Sequence, residues 1–421
     1  MRVALVSAHA DPRAPLGGID SGGQNAHVDA LAAALSGRGH SVTVYTRCAD
    51  PTAPSEVDTA GGYRVSYVPA GPPGPLAKEA LVPHLGDFAD GLASRWALER
   101  PDVVHAHYWT SAFAARIATR SGPVPTVVTF HTLAEAARRN RGDRSPDTVA
   151  RGKVEKLLAR TASRVVATAS EDVGDLVRLG VPRRSISVIP VGVDLDTFHP
   201  APIASGGRSP RRYRLAAAGR LVPRKGFDLT IAALAAIPDA ELSIAAGANT
   251  DVASDPEARR LTDLARTHGV ADRVRIGPIP RDRMPDFWRA ADLAVFTPGY
   301  EPFGISAIEA MACGTPVVAS AVGGLLDTVI DGVTGVLVPR RSPGAVAEAV
   351  RRLLDDDGWR TGFGMSAADR ARARYSLEHI ALDTERVYTD ALPEPAADDG
   401  AEDTEGADRA VAPTGRLDPV R

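Results

Sequence analysis

Residues 293–320 read LAVFTPGYEPFGISAIEAMACGTPVVAS. The apolar residues 293–296 predict a strand, 306–313 carry apolar positions at helical spacing, and 317–319 predict a second strand. Neither strand alternates apolar with polar residues, the pattern of strands covered on both faces. Two such strands separated by a helix make a parallel pair with its crossover, the repeating unit of an α/β sheet.

The unit recurs outward in both directions. In the second half, strands are predicted at 215–219, 242–246, 274–276, 293–296, 317–319 and 336–338, with helices at 226–237, 256–268, 283–290, 306–313 and 343–355. The first half repeats the pattern. Its strands are expected at 3–7, 42–46, 64–68, 103–107, 126–130, 165–168 and 187–189, and its helices at 24–35, 85–98, 111–119, 148–161 and 172–179. The expectation is two doubly wound, Rossmann-like α/β domains, 1–195 and 208–375, joined near 190–207, where PVGVDLDTFHPAP runs into a Ser/Gly linker. Helical segments 359–375 and 377–391 follow, and the helix of 376–392 is expected to return to the first domain. From 393 to 421 eight acids, three arginines and almost no bulky apolar residue predict a disordered acidic tail.

The 421-residue chain carries 49 basic and 52 acidic residues, a formal net charge of −3, and is 44% hydrophobic and 24% charged. Those proportions are ordinary for a globular protein, and the length suits two or three domains. The balance argues against a basic nucleic-acid binder, and no apolar run reaches the roughly 18 residues of a membrane span. MRVALVSAHADP meets Asp11 too soon for a signal peptide and reads as a buried first strand. Cys48 and Cys313, the only cysteines, make no disulfide framework, so a cytoplasmic setting is expected. Only four basic residues are lysines: Lys78, Lys153, Lys156 and Lys225.

Three clusters carry chemistry. In HADPRAPLGGIDSGGQNAH, Gly22 and Gly23 stand just before a helix, where glycine lets a ligand reach free N–H groups at the positive helix end. A tight strand–helix turn would use the same residues. The spacing is not GxGxxG, and Arg47 ends the second strand where a ribose-binding acid would be expected, so a dinucleotide site is disfavoured. In AAAGRLVPRKGFDL, Arg220 ends a strand and Lys225 precedes a helix, two cations suited to a diphosphate or, more plainly, a solvated basic turn. In YEPFGISAIEAMACGTPVVAS, Glu301 follows a strand and Glu309 lies eight residues on, within a helix whose start is Gly304 and Ile305. A carboxylate accepts two hydrogen bonds and suits vicinal hydroxyls, so this pair could hold a sugar and a ribose; two solvated glutamates are the alternative.

Taken as a set, Arg220, Lys225, Glu301-Pro-Phe-Gly and Glu309 resemble the donor site of retaining GT-B glycosyltransferases of family 4. The Gly22–Gly23 loop, Phe130-His131-Thr132 and PVGVDLDTF resemble the same family, over about residues 1–391. GGIDSGGQN and GGLLDTVIDGVTG resemble its sucrose-phosphate synthase-like and D-inositol-3-phosphate glycosyltransferase branch. The resemblance implies two domains facing a cleft, with a nucleotide diphosphate sugar as co-substrate and neither cofactor nor metal. Arg220 and Lys225 would hold the diphosphate, and Glu309 the ribose. Glu301 and the Gly304–Ile305–Ser306 backbone would hold the transferred sugar. His131 would stand near the sugar's C6 and the reaction centre, and Gly22 and Gly23 would face the pyrophosphate. Asp194-Leu-Asp196, in the hinge, would bind no metal.

For the acceptor, the resemblance implies Asn25, Lys78, Tyr108, Thr132 and Arg151, four of which would grip a phosphate. Arg151 stands four residues before Glu155, which also fits a plain helix ion pair. Two positions depart from the inositol enzymes: Gln24 replaces a methionine and Phe130 a small residue. The implied reaction is hexosyl transfer to a hydroxyl of a small phosphorylated polyol or sugar, with retention. A GT-B epimerase or phosphorylase, a transferase using an unphosphorylated or lipid acceptor, and a non-catalytic sugar-nucleotide binder stay open. The expected partners are the donor and the acceptor, with a homodimer left open.

Overall fold

The computed structural model describes residues 1–14, 23–141, 145–202 and 212–393. Its first sheet contains β1 (Arg2–Val6), β2 (Ser41–Arg47), β3 (Glu56–Asp58), β4 (Arg64–Val68), β5 (Val103–His107), β6 (Thr126–Thr129), β7 (Arg164–Ala167) and β8 (Ile186–Val188). The order is β3-β4-β2-β1-β5-β6-β7-β8, parallel except for the β3–β4 edge. The second sheet contains β9 (Tyr213–Ala218), β10 (Ala240–Ala246), β11 (Val274–Pro278), β12 (Leu293–Phe296), β13 (Val317–Ser320) and β14 (Gly335–Val338), ordered β11-β10-β9-β12-β13-β14. Strand order reverses between β1 and β5 and again between β9 and β12. At such switch points the loops leaving the strand ends part, and a crevice opens beyond the carboxyl edge.

The first sheet is covered by α1 (Gly23–Gly37), α2 (Leu85–Leu98), α3 (Trp109–Ala118), α4 (Ala134–Arg141), α5 (Pro146–Thr161) and α6 (Ser170–Arg178). The second carries α7 (Phe227–Leu234), α8 (Pro256–Thr267), α9 (Met284–Arg289), α10 (Ile305–Ala312), α11 (Leu325–Thr328), α12 (Pro343–Asp355) and α13 (Asp357–Tyr375). The last helix, α14 (Leu377–Ala391), buries Ile380, Ala381, Val387 and Tyr388 in one core with Leu5, Val28, Leu31 and Leu35 of the first domain. Each large apolar side chain buried this way contributes roughly 1.5–3 kcal/mol. Tyr300, carried by the second domain, is buried in the first domain's other core, and Ser170 N donates to Asp327 Oδ2 at 2.6 Å.

The expected strands and helices form with shifted ends, and three further elements appear. β3 is a three-residue polar edge too short to show a period, and α4 carries too many arginines to present an apolar stripe. α11 is a single turn. Residues 203–211, which include the expected Ser/Gly stretch before 208, and 394–421 of the expected tail lie outside the described residues. Among the described residues no helix is long and apolar enough to cross a membrane.

Candidate functional site

A cleft of about 910 Å³ lies between the carboxyl edges of the two sheets. Its first-domain wall includes Gly23, Gln24, Asn25, Lys78, Tyr108, His131 and Thr132, and its second-domain wall Arg220, Arg224, Lys225, Glu301, Gly304, Ile305, Ser306 and Glu309.

On the second wall, β9 runs out into Gly219 and Arg220, and a single turn at Pro223–Lys225 leads into α7. Gly226 has φ +71°, and a Cβ there would stand 1.8 Å from Thr297 O, so only glycine fits between this turn and the loop after β12. The tight packing brings Lys225 Nζ to 2.6 Å from Glu301 Oε2. Burial pushes the Glu301 carboxyl up, but Lys225 and Arg224 outweigh it and hold the group below its usual value. Gly304, at φ +75°, caps α10 and donates its N–H to that carboxylate. The N–H groups of Ile305 and Ser306 behind it come before the first intrahelical bonds, which Ala307 N and Ile308 N make to Gly304 O.

Sequence reasoning missed two residues on this wall. Arg224 is largely buried beside Arg220 and Glu301, and its Nη1 has no hydrogen-bond partner among the described residues. Arg281 pairs with the buried Glu309 carboxylate, and its guanidinium lies 4.6 Å over the Phe198 ring. Arg224 was visible in the same string as Lys225; nothing local singled out Arg281.

Gly23 opens α1 rather than preceding it, while Gly22 lies outside the described residues. A Cβ on Gly23 would stand 3.2 Å from Ile305 Cδ1 and 3.3 Å from Phe303 Cδ2. The N-terminal turns of α1 and α10 therefore meet across the cleft, and both positive helix ends point into it. Asn25 is buried and donates to Asp11 O at 2.8 Å, tying α1 to the loop after β1. Gln24 donates to Ser7 Oγ at 3.2 Å and His107 O at 3.4 Å.

His131 sits just past β6 at φ +60°, buried, with Nε2 3.0 Å from His107 Nδ1 and its ring 5.4 Å from that of Phe303. His27 and His105 complete a buried imidazole cluster. Burial lowers His27 to about 4 and His105 to about 3, and holds His107 and His131 well below the ordinary range. All four are neutral at neutral pH. Sequence reasoning reached only His131; HAH at the end of β5 was the overlooked signal.

Two of the expected acceptor residues, Lys78 and Arg151, converge on the ring of a third, Tyr108. Tyr108, at φ +77°, lies 4.9 Å under the Arg151 guanidinium and 5.9 Å from Lys78 Nζ. Arg151 also donates to Thr132 O and pairs with Glu155 at 2.6 Å, so the helix ion pair exists and orients the guanidinium. Glu155 is anchored by accepting from Ala134 N at 2.8 Å. Phe130 packs in the first domain's core, outside the residues that line the cleft. Asp194 accepts from Asp196 N and from Thr197, closing its own turn in the hinge. Arg47 is spent on the carbonyls of Ala70, Pro72 and Gly74.

Residues 21–197 match the family described as Glycosyltransferase Family 4, and residues 203–370 that described as Glycosyl transferases group 1. A D-inositol 3-phosphate glycosyltransferase of Nocardiopsis dassonvillei is 38% identical over 386 residues, 88% of this chain and 90% of that protein. One from Xylanimonas cellulosilytica is 39% identical over 409 residues, 93% of this chain and 97% of that protein. Among solved structures, a sucrose-phosphate synthase from Thermosynechococcus elongatus superposes with TM-score 0.82 at 31% identity, covering 92% of this chain and 98% of that one.

Proposed function

The chain belongs to glycosyltransferase family 4, with two parallel-sheet domains of the GT-B type, and on that premise we propose that it moves a hexosyl group from a nucleotide diphosphate sugar to a hydroxyl of a small phosphorylated polyol or sugar, with retention. One observation carries the reading: a wall that includes Arg220, Arg224, Lys225, Arg281, Glu301 and Glu309 faces, across one cleft, a second wall that includes Lys78, Tyr108 and Thr132, with the Arg151 guanidinium over the Tyr108 ring.

On this reading Arg220, Arg224 and Lys225 take the diphosphate, helped by the helix ends of α1 and α10. That neutralisation needs no metal. Glu309, steadied by Arg281, takes the ribose, and Glu301 with the Gly304–Ser306 backbone takes the sugar's hydroxyls. Lys78, Tyr108, Thr132 and Arg151 take the acceptor phosphate. Its hydroxyl then lies on the face of the sugar that the diphosphate leaves. As the bond from the anomeric carbon to the diphosphate oxygen breaks, that oxygen takes the acceptor proton and the acceptor oxygen bonds to the same face. Glu301 is engaged by Lys225, which argues against its acting as a nucleophile. The protein's part is to position the reactants and stabilise the leaving charge. The relatives named for D-inositol 3-phosphate support a phosphorylated polyol as acceptor. The chemistry belongs in the cytoplasm, where nucleotide sugars are made.

The test is a panel of nucleotide sugars and acceptors read by mass spectrometry, with the product's anomeric configuration read by NMR. Transfer with retention, favouring a phosphorylated acceptor over its phosphate-free form, is expected. Inversion, an altered nucleotide sugar, or equal use of both acceptor forms would overturn the reading.

A further inference from the structure

Tyr300 stands one residue before Glu301 and is carried by the second domain, yet it is buried in a core of the first. The other buried members of that core run from Ala4 to Ile186. The charges that act on the Tyr300 hydroxyl come from Asp172, Glu171 and Asp175 of α6 and from Arg139 of α4. Those groups are themselves tied together. The Arg139 guanidinium donates to both Asp175 oxygens, at 2.9 and 3.0 Å, and to Glu171 at 3.1 Å. The socket that receives Tyr300 is therefore built wholly from first-domain elements.

A second contact reaches the same loop by another route. Asp327 accepts from the N–H of Ser170, the first residue of α6, at 2.6 Å. The Asp327 carbonyl accepts from Arg370 Nη2 at 2.5 Å and from Tyr375 Oη at 3.0 Å, so its carboxylate is presented from a backbone anchored to α13. The turn that leads into α11 packs backbone to backbone on the loop after β12. Gly324 N donates to Glu301 O at 2.8 Å, and a Cβ on Gly323 would stand 2.1 Å from that oxygen. Residues 297–304 belong to no strand or helix, so contacts from outside the loop set its course.

We infer that α6 of the first domain clamps the Glu301 loop through Tyr300 and Asp327, so that the Glu301 carboxylate is aligned for the sugar while the two domains are docked. Tyr300 and Asp327 are then positioning residues, since neither lines the cleft. Lys225 engages the carboxylate from within the second domain, but it does not fix the backbone that carries it. The clamp ties the domain that holds the acceptor wall to the residue facing the donor sugar, with no ligand shared between them. The consequence for transfer rests on the function proposed above; the clamp does not.

The test works from the first-domain side, away from Glu301. Ser170→Pro deletes the N–H that Asp327 accepts. Proline is tolerated at the first position of a helix, and Ala169 before it already has the extended backbone, φ −143° and ψ 154°, that a following proline requires. Hydrogen exchange is followed by mass spectrometry on the full chain. Ser170→Pro and Tyr300→Ala are each expected to speed exchange in a peptide spanning 297–305 at least about threefold, with β9 and β10 unchanged. Unchanged exchange at 297–305 in both variants overturns the inference whether or not the protein transfers a sugar. In transfer assays both variants are expected to lower kcat at least about tenfold with donor KM within about twofold, because alignment is lost and the diphosphate contacts remain. Tyr300→Phe keeps the ring in its socket and is expected to restore most of kcat. Loss of thermal stability with kcat unchanged would make the contacts merely structural. If Tyr300→Ala does not fold, Ser170→Pro and Asp327→Ala decide by the same exchange measurement.

Discussion

Lys225 Nζ lies 2.6 Å from Glu301 Oε2, a pair joining the turn before α7 to the loop after β12 with both side chains mostly enclosed. In the free protein each thus neutralises the other's buried charge. A donor diphosphate entering the cleft would compete with Glu301 for the lysine.

Lys225→Ala is therefore expected to damage donor use beyond the loss of one contact, because Glu301 loses its hydrogen-bonded counter-charge and keeps only Arg224 and the Gly304 N–H. A charge-assisted hydrogen bond is worth roughly 1.5–3 kcal/mol, and more where charge develops in the transition state. A rate loss of at least about 100-fold is expected with the fold intact. Near-normal turnover in a folded variant would remove Lys225 from the diphosphate site.

Arg224 separates binding from stability. Its Nη1 is buried without a hydrogen-bond partner among the described residues, and desolvation outweighs the field of Glu301 there. Arg224→Met is expected to leave the unfolding midpoint unchanged or raised, while donor KM rises about tenfold. Thermal unfolding and donor titration on the same preparation check both halves, and a strongly destabilised variant with normal donor KM would make Arg224 structural.

Arg151 separates the acceptor from the donor. Arg151→Ala is expected to raise acceptor KM far more than donor KM, and Arg151→Lys to rescue little, because lysine lacks the planar fork. Inorganic phosphate should compete with acceptor and not with donor. If the Arg151–Glu155 pair served only α5, the alanine variant would lose stability, and phosphate would not inhibit.

The imidazole cluster makes folding pH-dependent. His27 is lowered to about 4 and His105 to about 3, while His107 and His131 move in the same direction. In the unfolded chain each titrates near its ordinary value of roughly 6.5. As pH falls below that value, the unfolded chain takes up protons that the folded chain refuses. Stability is therefore full above about pH 7.5 and falls by up to about 1.4 kcal/mol per pH unit for each histidine down to its folded value. Asp172 acts oppositely. Burial, with Asp175 and Glu171 beside it, pushes its carboxyl up to about 7, so its contribution is present at low pH and lost as pH rises towards 7. Denaturant unfolding from pH 4.5 to 8.5 should show a steep acid limb, shallower in His27→Leu. Asp172→Asn should gain stability at pH 8 relative to wild type. A flat profile would mean that the histidines titrate normally in the fold.

Much of this protein was legible in short stretches of sequence. Strands 293–296 and 317–319 with the helix between them identified the sheet type, because covered strands and crossover helices differ in local period. Arg220, Lys225, Glu301 and Glu309 were legible because Arg220 and Glu301 follow strands, Lys225 precedes a helix, and Glu309 lies within the helix that Glu301 leads into, positions that local pattern defines. What local pattern cannot carry is which strand ends share a cleft. Lys78 and Arg151 belong to separate loop and helix segments, and only the order of β1, β5 and β6 brings both to the Tyr108 ring. The His107–His131 pair needs β5 beside β6 in register, and the Arg281–Glu309 pair needs α9's leading turn beside α10. Buried polar groups choose partners by proximity in a low-dielectric interior, where an unpaired group is costly. That proximity is a property of the packed sheets, so the His107–His131 contact and the Arg281–Glu309 pair were decided by tertiary structure alone.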